Sequence, residues 1–530
     1  MDEDDRAAHL AALSPGANID HRGTTFTEPL LGALLGALHD PLTGLPCLGV
    51  ADFQGAAFQG DAQFSEVTFS GLASFYEATF SGDALFRKAI FSSGAAFTNV
   101  TFSGDARFFA VAFSSTSTVG FVGATFSGDA RFDWVAFSGN AWFRGATFTG
   151  DASFYEARFE KASHLGPLVC GKQVVLDGAV FRQPMTVEIS ARQVSCKRTS
   201  WAATATLYLR YADLDLRDAV FEYPVVVAAR ADPFLHPIGT PVAETVLSGE
   251  KPGVRLVSVV GADAAHLALQ DIDLSTCRFA GAVHLDQLKV DGWCTFATAP
   301  ADWDWRFPWR WSWRNTLVEE HHWRVRTARH PHRTIARGWT APPDGALKLP
   351  PAALAALYRQ MRKSLEDGKN EPDAADFYYG ECEMRRHDLT RPRGERALLA
   401  AYWTLSGYGL RATRALAWLG AAMAATIAVM VLWGLPVDGP KPTITGRQSG
   451  ADISLTADTP DPVNPTGPWT ERVTTERGEK ALRVVINSVI FRSSGQDLTT
   501  AGTYTEMVSR LAEPVLLGLA VLAVRSRVKR

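Results

Sequence analysis

Apolar and polar positions alternate along the first third of the chain with a period that fits neither a helix nor a simple strand. Phenylalanines fall at 53, 58, 64, 69, 75, 80, 86, 91, 97, 102, 108 and 113, spaced alternately by five and six residues. The phase slips by two residues around Ser114–Gly120 and resumes at 121, 126, 132, 137, 143, 148, 154 and 159. A helix repeats every 3.6 residues and a half-buried strand every 2. A fixed repeat of about 11 residues instead marks a solenoid, in which each unit buries its apolar face only by stacking on its neighbours.

A longer period lies inside the short one. Asp61, Asp83, Asp105, Asp129 and Asp151 each precede every second phenylalanine by three residues, and their spacing is 22 except across the slip. The intervening slots hold Leu72, Gly94 and Asn140. Twenty-two residues therefore predict one turn of the coil, with four short faces and one inward phenylalanine on each. Small residues fill the remaining slots, as a narrow coil demands. With turns about 4.8 Å apart, five of them make a rod of about 24 Å from Phe53 to Phe159.

Segments such as Ala124-Thr-Phe-Ser-Gly-Asp-Ala-Arg-Phe132 and Ala146-Thr-Phe-Thr-Gly-Asp-Ala-Ser-Phe154 resemble pentapeptide-repeat proteins of bacterial membrane type, in a Phe-centred variant with one-residue insertions. The resemblance implies a mainly β fold, a right-handed quadrilateral β-helix. The phase continues through Leu165, Cys170, Leu176, Phe181 and Val187, then in pieces through Leu216, Phe221 and Val227, and through Leu269, Leu274, Phe279, Leu285, Val290 and Phe296. This extends the solenoid over 51–298, with a Pro- and Gly-rich insertion near 232–253. Residues 1–50 read as an N-terminal cap region. Its start at Met1–Asp5 is acidic, unlike a secretory signal, and Leu30–Leu38 is a short apolar helix begun near Thr27.

The aspartates admit two readings. One is an acidic edge that binds metal or mimics DNA, as some pentapeptide-repeat proteins do when they bind topoisomerases. The other, which we favour, is a corner cap in which each carboxylate bonds its own local backbone. Residues 51–160 hold 11 acidic and 6 basic side chains, a mild excess.

Residues 299–349 form a Trp/Arg-rich connector. Trp303, Trp305, Trp309, Trp311, Trp313, Trp323 and Trp339 alternate with Arg306, Arg310, Arg314, Arg324, Arg326, Arg329, Arg333 and Arg337. Such interleaving suits stacking on single-stranded nucleic acid, an anionic bilayer surface, or packing on the end of the β-helix, the reading preferred here. Glu319, Glu320, His321, His322, His330 and His332 lack the spacing of a known metal set, and the histidines read as surface residues. Residues 350–400 then carry an αα-hairpin. Ala352–Asp367 presents Leu354, Leu357, Met361 and Leu365 on one face, Gly368–Pro372 breaks the helix, and Asp373–His387 follows. The stretch Asp376-Phe-Tyr-Tyr-Gly-Glu-Cys-Glu-Met-Arg-Arg386 resembles a segment that precedes the spans of bacterial pentapeptide-repeat membrane proteins. It supplies the carboxylates Glu381 and Glu383 but no partner base or nucleophile, and we read it as an interaction or coupling element rather than an active site.

Residues 401–530 read as a membrane domain with two spans. Leu416–Leu435 holds no charge and reaches about 30 Å as a helix. Trp418 and Trp433 sit near its ends, and Gly420, Ala424 and Ala428 form a small-residue stripe. Met507–Val524 is a second candidate, preceded and entered by Arg510, Glu513 and Pro514. Arg411 and Arg414 before the first span, and the basic end Arg525–Arg530, place the β-helix and the C-terminus on the cytoplasmic side. Pro436–Pro468 is then an external loop. Ala481–Phe491 is apolar but too short to cross, so two spans with a short segment between them also suit a pore-loop channel. Thr499–Tyr504 stands nearest to a filter and lacks its second glycine.

Composition narrows the function classes. The net charge of −3 disfavours a generic nucleic-acid binder. The six cysteines include no CxxC pair and rule out a disulfide-dense scaffold. No Walker A loop, dinucleotide fingerprint, zincin motif or nucleophile elbow occurs. The expectation is a non-enzymatic, membrane-anchored scaffold with no catalytic, cofactor-binding or metal residues. Its partners are the lipid bilayer and a protein or a second copy of the chain. A channel subunit and a topoisomerase-binding DNA mimic are the alternatives.

Overall fold

The computed structural model describes residues 3–114, 118–236, 239–300, 313–436, 441–449, 452–458, 460–490 and 492–528. It divides into two compact units, the first running to Phe377 and the second from Tyr378 onward.

The first unit is a β-solenoid of about 11 turns. Its strands are mostly two residues long, Thr-Phe or Ala-Phe on two faces, and pair in parallel with the turn above and below. The register sets Phe69 beside Phe91, then Phe113, Phe137, Phe159 and Phe181. Four such columns run up the interior. Within a column the rings stack in parallel, with centroids 4.9 Å apart for Phe75–Phe97 and 5.0 Å for Phe64–Phe86. Between columns they meet edge to face, 5.4 Å apart for Phe97–Phe108. The strand spacing imposes the first distance. The second arrangement sets ring edges against ring faces, as the quadrupole favours. The corners need left-handed backbone, supplied by Gly123 and Gly145 but also by Glu66, Lys88, Ala110 and Trp134. Across the phase slip, residues 115–117 lie outside the described residues. Phe97 and Phe121 still stack at 4.8 Å, so the two extra residues do not disturb the core.

Beyond His164 the coil changes shape. Strands His164–Val175 and Met185–Ser195 run through what had been a corner, and the first pairs with both Thr147–Phe148 and Ala152–Ser153. Two faces thus merge into one. Phe181 is followed in its column by Trp201 and Phe221, so the turn shortens from 22 to 20 residues. The insertion after Asp232 lies down on these long strands. Phe234, Val242 and Leu247 pack against Val169, beside Tyr208 and Tyr211. Glu244 pins it there, accepting from Arg210 (2.7 and 2.9 Å), Ser190 (2.6 Å) and Tyr211 (2.9 Å).

Strand pairing begins before Phe53. Ile19–Asp20 pairs with Ala51–Asp52, and Thr25–Thr27 pairs with Ala57–Gln59, so that Phe26 stacks on Phe58 at 5.2 Å. Helix α1 (Glu3–Ala11) precedes this turn. Helix α2 (Glu28–Ala37) leaves it after Thr27 and buries Leu31, Leu34 and Leu35. The chain rejoins the coil at Cys47–Leu48.

Helices close the other end, where an open rung would expose unpaired backbone. They are α3 (Val318–Thr327), α4 (Pro331–Ala336), α5 (Pro351–Asp367) and the first part of α6 (Glu371–His387). Ser364 donates to the Leu288 carbonyl (2.5 Å), Lys363 pairs with Asp286 (2.8 Å), and Phe377 meets Phe296 edge to face at 4.9 Å.

The second unit holds the rest of α6, then α7 (Arg393–Ser406), α8 (Ala412–Val429), α9 (Trp469–Arg472), α10 (Thr475–Val489) and α11 (Thr500–Val528). A π-helical turn, Met430–Gly434, extends α8. Among the described residues, two helix runs, Ala412–Gly434 and Thr500–Arg525, are long and apolar enough to cross a membrane. On α8 the buried positions are Arg414, Ala415, Leu419 and Thr426. The stripe Gly420, Ala424 and Ala428 faces outward. Ala481 and Val484 of α10 join Met430, Val431 and Leu435 in one cluster. Strands Thr443–Ser449 and Asp452–Asp458 pair as an antiparallel hairpin inside the segment expected as an external loop.

Candidate functional site

The aspartate ladder is built between turns rather than within them. The Asp83 N–H donates to Asp61 Oδ1 (2.9 Å), and the Asp105, Asp129 and Asp151 N–H groups each donate to the aspartate one turn below (3.0 Å). The Gln173 N–H ends the series on Asp151 (3.3 Å). This corrects the expectation of a local cap. Each carboxylate serves the next turn, and a bond recurring every 22 residues is the direct reason for the sequence period. The glycine before each aspartate permits the approach. A Cβ on Gly82, Gly104 or Gly150 would lie 2.5 Å from the carbonyl oxygen one turn below. Arg107 bridges Asp83 and Asp105 at 3.1 Å each, so part of the acidic edge is neutralised by the protein itself.

The Glu-Glu-His-His cluster is part of the solenoid's end closure. Glu319 Oε1 accepts the Phe279 and Ala280 N–H groups (2.6 and 2.9 Å), and burial pushes its carboxyl above the usual range. Glu320 is fully enclosed. Arg314 donates to both of its oxygens (2.6 and 2.7 Å), Arg324 to one (2.7 Å), and the Tyr358 hydroxyl to the other (2.5 Å). Burial alone would raise this carboxyl, but the two guanidiniums outweigh it and hold it at about 2. His321 contacts the Thr316 and Thr340 hydroxyls (2.9 and 3.2 Å), and burial holds both His321 and His322 down at about 4. These two histidines are buried, not surface residues as expected, because α3 turns them onto the end of the coil. His330 and His332 are exposed.

The connector's Trp303, Trp305, Trp309, Trp311, Arg306 and Arg310 lie outside the described residues. Trp339 packs edge to face on His321 at 4.8 Å, and Arg324 sits 4.8 Å over the same indole. Trp313 is exposed. Among the described residues no three His, Cys, Asp or Glu side chains gather as a metal-binding group.

The segment from Tyr378 to Arg386 knits the second unit together. Glu383 accepts from Tyr408 (3.0 Å), Arg386 (2.8 Å) and His387 (3.3 Å). The Arg386 guanidinium lies 4.6 Å over Trp403, whose indole N–H donates to the Tyr379 hydroxyl (2.9 Å). From the foot of α8, Arg414 donates to the Trp403 carbonyl (2.6 Å). Glu383 is thus a structural partner of arginine, histidine and tyrosine, the tyrosine lying 25 residues along the chain.

Between the long helices, Glu513 is fully buried. It accepts from the Thr426 hydroxyl (2.9 Å) and from Ser488, so three helices meet on one carboxylate. A buried charged group persists only when it is hydrogen-bonded and paired. The Arg477 guanidinium bonds the carbonyls of Val431 (2.8 Å), Leu435 (2.8 Å) and Pro436 (2.8 Å), satisfying the open end of α8. Gly434 and Gly502 bring two backbones together: a Cβ on Gly502 would meet the Gly434 carbonyl.

The stretch nearest to a channel filter is helical from Thr500 onward. A filter needs carbonyls free to face an ion. Thr499–Tyr504 opens α11 instead, and the Thr499 and Ala501 carbonyls are spent on Thr503 N–H (2.9 Å) and the Thr505 hydroxyl (2.7 Å). Thr499 itself bonds the Trp433 and Gly434 carbonyls (2.7 and 3.0 Å).

A four-column aromatic coil with inter-turn carboxylate bonds defines a β-solenoid closed by helices. Residues 46–89, 64–112 and 116–158 match the family model described as pentapeptide repeats (9 copies). The pentapeptide-repeat match covers the Phe-rich turns of the solenoid and does not extend to its later turns or to the helices. Comparison with curated proteins and with solved structures finds no match.

Proposed function

We propose that the protein is a membrane-anchored scaffold that holds its solenoid at the cytoplasmic face and offers it to a protein partner or a second copy. The observation that carries this reading is the outer surface of the two long helices. Only 28% and 33% of their apolar windows are buried. Leu416, Trp418 and Trp433 on α8, with Val508, Leu511, Val515, Val521 and Leu522 on α11, face outward. An apolar surface of this extent is a liability in water and a requirement in lipid. Arg411, Arg414 and the basic C-terminal residues favour the cytoplasmic side for both ends.

The solenoid suits recognition more than chemistry, since its interior is filled by stacked rings. One face carries the residue types that dominate interface energies. Arg87 lies 5.7 Å over Phe109, and Trp134 meets Tyr155 one turn further on. Trp134 is half exposed.

The test is carbonate extraction of the full chain, with Gln54→Cys and Thr456→Cys as accessibility reporters and a photo-crosslinker at Trp134. The expected result is a chain that resists extraction, reacts with an impermeant maleimide from outside only at position 456, and yields a discrete crosslinked species. Release by carbonate, or outside labelling at position 54, refutes the anchor or its orientation.

A further inference from the structure

The helix before the first span is inside out for a helix in water. Residues on one face of α7 recur at spacings of three and four. Gly394, Ala397, Leu398, Ala401 and Thr404 make up that face, and all are exposed. Leu398 is 71% exposed. Of the helix's charged residues, Arg393 is exposed in the first turn, while Glu395 and Arg396 turn toward the rest of the unit. Glu395 pairs with Arg385 (2.9 Å) and Arg391 (2.7 Å), and Arg396 donates to the Arg386 carbonyl (3.2 Å). Tyr402 and Trp403 also turn inward, where Trp403 stacks under Arg386. A soluble helix would present its charges and hide its leucines.

The exposed stripe does not end with α7. The Trp418 indole N–H donates to the Thr404 carbonyl (3.0 Å), which joins the stripe to Leu416 and Trp418, the outward side chains at the foot of α8. The apolar surface of α7 is therefore continuous with that of the candidate span. Behind it, Glu395 is paired within the unit by Arg385 and Arg391. Both features fit a medium that is apolar on one side and cannot supply counter-charges cheaply.

We propose that α7 is an interfacial helix, lying in the headgroup and upper acyl region of the bilayer with Leu398 and Ala401 turned into lipid. The inference rests on the reading of α8 and α11 as spans. It adds a third lipid-binding element, too short to be recognised as a span, which orients the segment that leads out of the membrane.

The experiment uses full-length protein in proteoliposomes of phosphatidylcholine and phosphatidylglycerol. Single NBD labels are placed at Leu398→Cys, at Val521→Cys as a span reference, and at Gln54→Cys as a solenoid reference, with the unsubstituted chain as background. Lipids brominated near the headgroup or deep in the acyl chain serve as quenchers. The expected result is quenching at position 398 at least twofold stronger than at 54, and stronger with shallow than with deep bromines, while 521 shows the opposite depth preference. Quenching at 521 with none at 398 refutes the interfacial helix and leaves the anchor standing. A blue-shifted label at 398 that bromolipid does not quench refutes it in favour of a covering protein, including a second copy. No quenching at 521 refutes the anchor itself, and the inference falls with it.

Discussion

Replacing one glycine of the ladder tests the contact between turns more sharply than truncating the core. Gly104 has ordinary backbone angles, so Gly104→Ala adds no conformational strain of its own. The new Cβ would stand 2.5 Å from the Gly82 carbonyl oxygen, 2.6 Å from its carbon and 2.9 Å from the Asp83 nitrogen. All three are backbone atoms and cannot swing aside. Carbon–oxygen contacts sit at about 3.3 Å or more, so the two turns must part by about 0.8 Å in a ladder with rungs about 4.8 Å apart. That stretches the Asp105 N–H bond to Asp83 (3.0 Å) and loosens the Phe80–Phe102 stack (4.9 Å). Overpacking costs about 1–3 kcal/mol and a weakened hydrogen bond about 0.5–1.5 kcal/mol, for a loss of about 2–4 kcal/mol. Gly32→Ala on α2 is the control, because a Cβ there meets nothing within 4 Å. In a helix it should gain about 0.5–1 kcal/mol. Gly94→Ala should fall between them, since its nearest neighbour is the Leu72 Cδ1 at 3.0 Å, the end of a movable side chain. Pulse proteolysis of the full chain in detergent across a urea series reads all three. A Gly104→Ala protein as stable as the parent, or more so, would sink the close-approach argument.

Other substitutions separate the remaining contacts. Asp105→Asn keeps an acceptor for the Asp129 N–H and should cost well under 1 kcal/mol, whereas Asp105→Ala strands that N–H and should cost about 1–2 kcal/mol; equal losses would show that charge, not the bond, matters. Phe97→Ala removes a ring stacked on Phe75 and Phe121 and should cost about 3–5 kcal/mol, with hydrogen exchange rising first in the turns beside it because each turn touches only its neighbours. Glu320→Gln leaves Arg314 buried without its counter-charge and should cost about 3–5 kcal/mol; a thermal midpoint within a degree of the parent counts against the pair. Acid acts at the same place. His321 and His322 sit at about 4 against an ordinary 6.5, so the unfolded chain takes up protons first. Their contribution is complete above about pH 6.5 and is lost as pH falls toward 4, at most about 3 kcal/mol for each. Glu319, pushed upward by burial, works in the opposite sense and blunts the loss. Exchange protection of α3 should decline between pH 6.5 and 5, and His321→Gln should flatten that decline. An unchanged slope in the variant would remove His321 from the account.

What could be read from the chain follows from which contacts are periodic. An inward ring must recur once per face, and a bond between turns must recur once per turn. The phenylalanine phase and the Asp61–Asp151 series therefore carried the coil, its four columns and its pitch. Contacts without a period were not legible. Phe26 precedes its stacking partner Phe58 by 32 residues, because α2 is inserted into that turn, so the first turn looked like a separate cap. Glu320 finds Arg314 nearby but Tyr358 only 38 residues on, and nothing local marks the pair of histidines beside it as buried.

The second unit shows the same division from the other side. Apolar length marked α8 and α11, since that property is local, and Arg510, Glu513 and Pro514 obscured only where α11 begins. The role of Glu513 depends on Thr426 and Ser488, which are 87 and 25 residues away, and no pattern in the span itself announces them. A carboxylate inside an apolar helix reads locally as a defect that weakens the span. In the fold it is the point where α8, α10 and α11 are tied together. Had α11 been free to turn about its axis, an apolar contact between α8 and α11 could have been met in several registers. A carboxylate that must find two hydroxyls can be satisfied in far fewer, so the residue that weakened the sequence signal is the one that fixes how the three helices meet.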